Sequence, residues 1–173
     1  MSAQAEQRGV IEVYTDGGAS GNPGPGGYGA IMRVGGYEKE FSGAFRLTTN
    51  NRMELLAVIV ALEAITAQWT PAQVVVTSDS KYVVDAVSKD WVFNWEKKSF
   101  KAKKNPDLWR RFLKIYRVHN VKFEWVKGHD GHPLNERADA LAVLAYQKGP
   151  LQVDQGYEKS QAPPSGSAGL KFS

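Results

Sequence analysis

Two short apolar runs rich in β-branched residues, Val10 to Thr15 and Val74 to Thr77, each lead into an aspartate: Asp16 directly, Asp79 after one serine. Nearly continuous apolar runs of this length suit strands covered on both faces. A sheet that carries both strand ends side by side brings the two carboxylates together. Two more acidic residues stand at the starts of helical patterns, Glu54 in TTNNRMEL and Asp139 in NERADAL. Carboxylates gathered from four segments repel one another unless a divalent cation holds them. Hard oxygen ligands in a chain with no cysteine suit Mg²⁺ or Mn²⁺.

The pattern between these points predicts a mixed sheet with helices on its faces. Gly21 to Gly27 forces a turn after the first run, and Tyr28 to Val34 and Tyr37 to Phe45 read as two strands joined at Gly35-Gly36. From Asn51 the period changes: Leu55, Val58, Ile59, Leu62 and Ile65 share a helical face, and Pro71 lies beyond its end. After the strand at Val74 to Thr77, helices are expected from about Ser80 to Val87, across Trp91 and Trp95, and from Asp107 to Val118. A fifth strand spans Val121 to Val126 and a last helix Asn135 to Tyr146. The order is that of an α/β domain.

Each acidic residue has an ordinary explanation when taken alone. Asp16 can close a strand as an Asx turn. Asn51-x-x-Glu54 has the form of a capping box with Asn51 as the cap. Asp79 can cap the helix that follows it, and Asp139 can be a solvated helix residue beside Arg137. What these explanations leave unaccounted for is the coincidence of all four.

At 173 residues and 42% hydrophobic, the chain can bury one domain and not a second. Residues 1–9 are polar and read as an extension. The domain is expected over 10–148, and 149–173, which includes the Pro/Gly/Ser stretch from Ala162, reads as a flexible tail. No run approaches membrane-spanning length, and the absence of cysteine fits a cytoplasmic location. A net charge of +4 is modest, but Lys97 to Arg117 holds nine basic residues against Asp107 alone. One lobe is thus built to grip a polyanion, apart from the acidic site.

Taken together, TDGGASGNPGPGGYGA, TTNNRMELLAVIVALEA, TSDSKYV, WVFNW and WVKGHDGHPLNERAD resemble type 1 ribonuclease H, the bacterial ribonuclease HI form, over Val10 to Tyr146. The resemblance implies a five-stranded mixed sheet, order 3-2-1-4-5, with strand 2 antiparallel and helices on both faces. It implies an endoribonuclease that cuts the RNA strand of RNA·DNA hybrids without strict sequence preference, leaving 5′-phosphate and 3′-hydroxyl ends; a monomer is the default expectation. Asp16, Glu54, Asp79 and Asp139 then hold two Mg²⁺ ions. His129, between glycines in KGHDGH, transfers protons or loosens product, because an imidazole titrates near neutrality; His132 is read as structural. A two-histidine zinc site lacks a third ligand nearby in sequence.

By the same resemblance Asn22, Asn50 and Asn51 contact the minor groove of the hybrid, while Thr49, Asn50 and Arg52 bind a DNA-strand phosphate. The Gly21 to Gly27 loop is not a Walker motif, since no Gly-Lys-Ser/Thr follows it. Trp91 and Trp95 form an aromatic platform, whose alternative is simple core packing. Phe100 stands where an aromatic is expected, and Lys97, Lys98, Lys101, Lys103 and Lys104 form a basic handle at about 91–106. This handle is several residues shorter than the longest bacterial versions. Lys81 stands where many relatives carry Gln, and adds a cation beside Asp79. Two rivals share the fold: an integrase- or transposase-like enzyme, against which Glu54, the TTNN entry and the handle argue, and a hybrid-binding module without chemistry.

Overall fold

Val13, Val74 and Val76 are wholly buried in a computed structural model that describes residues 9–162. They belong to the two apolar, β-branched runs, which form strands β1 (Ile11–Ala19) and β4 (Gln73–Ser78) and pair in parallel from Ile11 opposite Val74 to Thr15 opposite Ser78. β2 (Gly24–Val34) runs antiparallel to β1, and β3 (Tyr37–Thr48) antiparallel to β2 through the turn at Gly35-Gly36. β5 (Asn120–Trp125) lies parallel to β4 on the other edge. The five-stranded order is β3-β2-β1-β4-β5, as the resemblance implies, with β2 the one strand of opposite sense.

Six α-helices accompany the sheet among the described residues: α1 (Asn50–Glu63), α2 (Lys81–Ser88), α3 (Trp91–Lys97), α4 (Pro106–Tyr116), α5 (Pro133–Lys148) and α6 (Gln155–Gln161). α1 lies across β1 and β2 and packs on α4, so Leu55, Val58, Ile59 and Leu62 are fully buried, and Arg52 and Met53 with them. A helix covered from two sides buries more than the single stripe that its periodicity shows. Trp109 and Phe112 of α4 complete this core. α5 covers the opposite face of the sheet.

Close approach on both faces depends on glycine. A Cβ on Gly17 would run into the Met53 backbone of α1, and one on Gly29 into the Ala138 carbonyl of α5. These two contacts set how near Glu54 and Asp139 come to β1.

Three expectations are corrected here. Asn51 does not cap α1: Thr49 does, its hydroxyl accepting the Arg52 amide at 3.3 Å. That leaves the Glu54 carboxylate free to turn inward. Asp79 does not cap α2; the Ser80 hydroxyl accepts the Val83 amide. The tail is not flexible from 149. Gln152 bridges to β3 through backbone bonds with Ala44 and Arg46, and α6 follows, capped by Asp154. Polar composition concealed this docking because it rests on ion pairs: Asp154 takes Arg52, and Glu158 takes Arg46. Residues 1–8 and 163–173 lie outside the described residues, and with them most of the N-terminal extension and of the Pro/Gly/Ser stretch.

Candidate active site

Pairing of Thr15 with Ser78 places Asp16 and Asp79 side by side at the open end of the sheet. Asp16 lies within β1, which continues to Ala19. Glu54 reaches the same point from α1, pressed on β1 at Gly17. The three carboxylates each offer an oxygen within 4.8 Å of the other two. Asp139 lines the same cavity from α5, close enough to Asp16 to perturb it. The structure thus gathers all four, three in a tight cluster and the fourth at its rim.

Burial dominates the electrostatics. Asp16 is 5% exposed and its carboxyl is pushed up to about 8, first by desolvation, then by its neighbours Asp139 and Asp79. Glu54 is pushed well above the usual carboxylate range by burial and by the charge of Asp16. Oε2 of Glu54 and Oδ1 of Asp79 are buried without a hydrogen-bond partner. Buried acceptors left unpaired in a cluster of like charge are costly. An oxygen-only set with two orphaned acceptors fits a hard divalent cation, which would supply both the missing partner and the missing charge.

The loop before α5 distinguishes the two histidines. His132 is the N-cap of α5, its Nδ1 accepting the Asn135 amide at 3.3 Å, so its ring holds the start of that helix. His129 is exposed, at a positive φ of 56°, and lines the carboxylate cavity. His119, buried, accepts the Ala72 amide far from the site.

The asparagines stitch this end of the molecule together. The Asn22 side-chain oxygen accepts the Asn50 amide at 3.0 Å, and that of Asn50 accepts the Ala19 amide at 2.7 Å. The β1–β2 loop and the start of α1 therefore form one surface, and Asn50 and Asn51 face the carboxylate cavity from it. Lys81 also lines the cavity, its Nζ 4.8 Å from the centre of the Trp125 ring. Trp125 donates its indole N–H to the Asp79 carbonyl at 3.0 Å. Sequence reasoning assigned Trp125 no role; its position at the end of β5, beside the end of β4, was the available signal.

The basic lobe is built as a short helix and a tight turn. Lys97, Lys98, Lys101, Lys103 and Lys104 are all exposed. Trp91 is 43% exposed, while Trp95 is half-buried against Trp109 with Lys103 over its ring. Phe100 is not a surface platform: it is 4% exposed, in the core, beneath the Arg110 guanidinium. Arg52 is corrected too. The residue is 2% exposed and its guanidinium is held by Asp107 at 2.7 Å, Asp154 at 2.8 Å and Asn105 at 3.3 Å, leaving it no free face for a phosphate. Its neighbours at the sequence level, Thr49 and Asn50, are the polar groups that reach the surface.

Comparison with known proteins agrees with this geometry. The RNase H family model matches residues 8–147. The chain is 49% identical to the ribonuclease H of Shewanella sp. (strain ANA-3), over 86% of this chain and 95% of that protein. It is 52% identical to the ribonuclease H of Serratia proteamaculans (strain 568), over 86% and 96%. Among solved structures it is similar to LC9-RNase H1, described as a type 1 RNase H with the type 2 active-site motif (TM-score 0.74, 35% identity, 92% of this chain and 83% of that one). It is also similar to LC11-RNase H1, solved in complex with an RNA/DNA hybrid (TM-score 0.59, 30% identity, 80% and 97%).

Proposed function

The chain belongs to the ribonuclease H family, and on that premise we propose that it cuts the RNA strand of RNA·DNA hybrids endonucleolytically, leaving 5′-phosphate and 3′-hydroxyl ends. The observation that carries the proposal is the cluster of Asp16, Glu54 and Asp79 within 4.8 Å, with two buried acceptors unpaired and Asp139 at the rim. These four would hold two divalent cations, Mg²⁺ or Mn²⁺. The chemistry supplied at that position would be a water made nucleophilic at neutral pH and an offset to the charge that builds on the leaving oxygen.

The chain's own residues do the rest. Asp16, central among the carboxylates, fixes the position of the charged cluster against β1, and Gly17 lets Glu54 close on it. His129 stands exposed at the mouth, where its imidazole can take up or deliver a proton at the cleaved bond. Asn22, Thr49, Asn50 and Asn51 form a neutral polar surface suited to ribose hydroxyls and sugar edges, which distinguish RNA from DNA. The handle lysines supply phosphate contacts that fix register without reading sequence, so cleavage is largely sequence-independent. Lys81, steadied by Trp125, adds a cation on the Asp79 side. No helix among the described residues is long and apolar enough to cross a membrane.

The test is incubation with Mg²⁺ and end-labelled RNA·DNA hybrid, dsRNA, dsDNA and single strands. Cleavage of the hybrid RNA strand alone, with products that a 5′-phosphate-dependent exonuclease degrades, is expected. Cutting of dsDNA would favour a DNA-processing enzyme, and binding without cutting would leave a recognition module.

A further inference from the structure

A second groove, of about 970 Å³, lies beside the carboxylate cavity and shares Asn51 with it. One wall is Thr49 at the start of α1. Another is the base of the handle and the start of α4, with Lys103, Lys104 and Arg110. The third is α6, with Tyr157 and Lys159.

How α6 is held decides which charges face the groove. Asp154 caps the helix at the Tyr157 amide and gives its carboxylate to Arg52 and to the Thr48 hydroxyl. Glu158 leaves the groove and forms a two-pronged pair with Arg46 of β3 at 2.8 and 2.9 Å. The carboxylates of α6 are thereby taken by Arg52 of α1 and by Thr48 and Arg46 of β3, and Lys159 remains on the groove side. Gly156 makes this docking possible, because a Cβ there would strike Asp107 and Arg52. Asp107, the one carboxylate among the residues that line the groove, is itself taken by Arg52 at 2.7 Å. Among the described residues, none of Lys103, Lys104, Arg110 and Lys159 forms an ion pair. Four unpaired cations around one groove that opens from the site of cutting call for a polyanion.

We propose that α6 is the third wall of the substrate groove, and that Lys159 contacts the phosphodiester backbone of the hybrid beyond the stretch gripped at the carboxylate cavity. This rests on the hybrid being the substrate. Helix α6 then lengthens the footprint on the duplex, and it couples that grip to Arg52 and so to the start of α1.

The experiment measures hybrid affinity without metal, in EDTA, across a salt series, for wild type, Lys159→Gln and Lys159→Glu, with melting temperature as a fold control. Lys159→Gln should weaken binding by about threefold and lower the salt slope by about 0.9, the value of one phosphate contact, and Lys159→Glu should weaken it by about tenfold. With Mg²⁺, KM should rise in the same proportion while kcat is unchanged. Hybrids with neutral methylphosphonate linkages on the DNA strand or on the RNA strand identify which backbone is held: the loss should vanish for one of them. Wild-type affinity and slope in both variants, or a loss that persists on both neutral-backbone hybrids, would overturn the proposal. If wild type itself leaves the hybrid uncut, the fault lies with the proposed activity and not with α6.

Discussion

Replacing Asp16 by Asn removes one negative charge from the carboxylate cluster while keeping nearly the same volume. The amide can keep the side-chain oxygen that accepts the Gly17 amide at 2.9 Å. The sign follows from the raised carboxyl. A group at about 8 when folded and roughly 3.9 when unfolded gives its full stability below about pH 4 and loses it as pH rises toward 8. At pH 7.5 that loss amounts to ~5 kcal/mol for an unrelaxed site, and we expect about half after side-chain relaxation and water entry. The Asn variant is spared it. Its metal-free melting temperature should therefore match wild type near pH 4 and exceed it by ~4–10 °C near pH 7.5, at about 2–4 °C per kcal/mol for a domain of this size. Added Mg²⁺ should raise the wild-type value and narrow the gap, since ligand bound to the native state stabilises it. Hybrid affinity in EDTA should be unchanged, and cleavage in Mg²⁺ should collapse. The assay is thermal melting in EDTA and in Mg²⁺ from pH 4 to 8.5, with cleavage measured alongside. A variant less stable than wild type throughout would make Asp16 a structural turn residue. Cleavage within tenfold of wild type would refute the metal assignment.

Asp154→Ala should cost ~2–4 kcal/mol, because buried Arg52 loses one of its two carboxylate partners and α6 loses its cap; a melting point within 2 °C of wild type would show that the buried pair contributes little. His129→Ala should lower kcat by one to two orders of magnitude with hybrid binding intact. His132→Ala should instead lower stability by ~1 kcal/mol through the lost α5 cap, and a larger kcat loss in that variant, with the fold preserved, would exchange the two roles. Changing Lys97, Lys98, Lys101, Lys103 and Lys104 together to Ala should raise KM far more than it lowers kcat and flatten the salt dependence of binding, whereas an unchanged salt slope would remove the handle from the binding surface.

The elements that pair locally or bury a repeating apolar face were legible in the chain. β-branched runs marked β1 and β4, Gly35-Gly36 the hairpin, and the spacing of Leu55, Val58, Ile59 and Leu62 the central helix, because backbone geometry imposes those periods before any tertiary contact forms. The carboxylates were legible as a set, since Asp16 and Asp79 come at or near the ends of two apolar runs that a parallel pairing sets side by side, although β1 itself runs on past Asp16 to Ala19. What a given polar side chain does with its charge was not. Arg52 and Lys104 are both cations in polar surroundings, yet one is buried between Asp107 and Asp154 and the other is exposed. Phe100 went to the core and Trp91 stayed at the surface, although both are aromatics in one basic segment. Asp154, Gly156 and Glu158 look in sequence like a solvated tail, and become a docked helix only because Arg46 and Arg52, about a hundred positions earlier, arrive beside them. Ion pairs between distant segments carry no period in the sequence. Their partners are chosen by the three-dimensional path of the chain, and only the tertiary structure decides them.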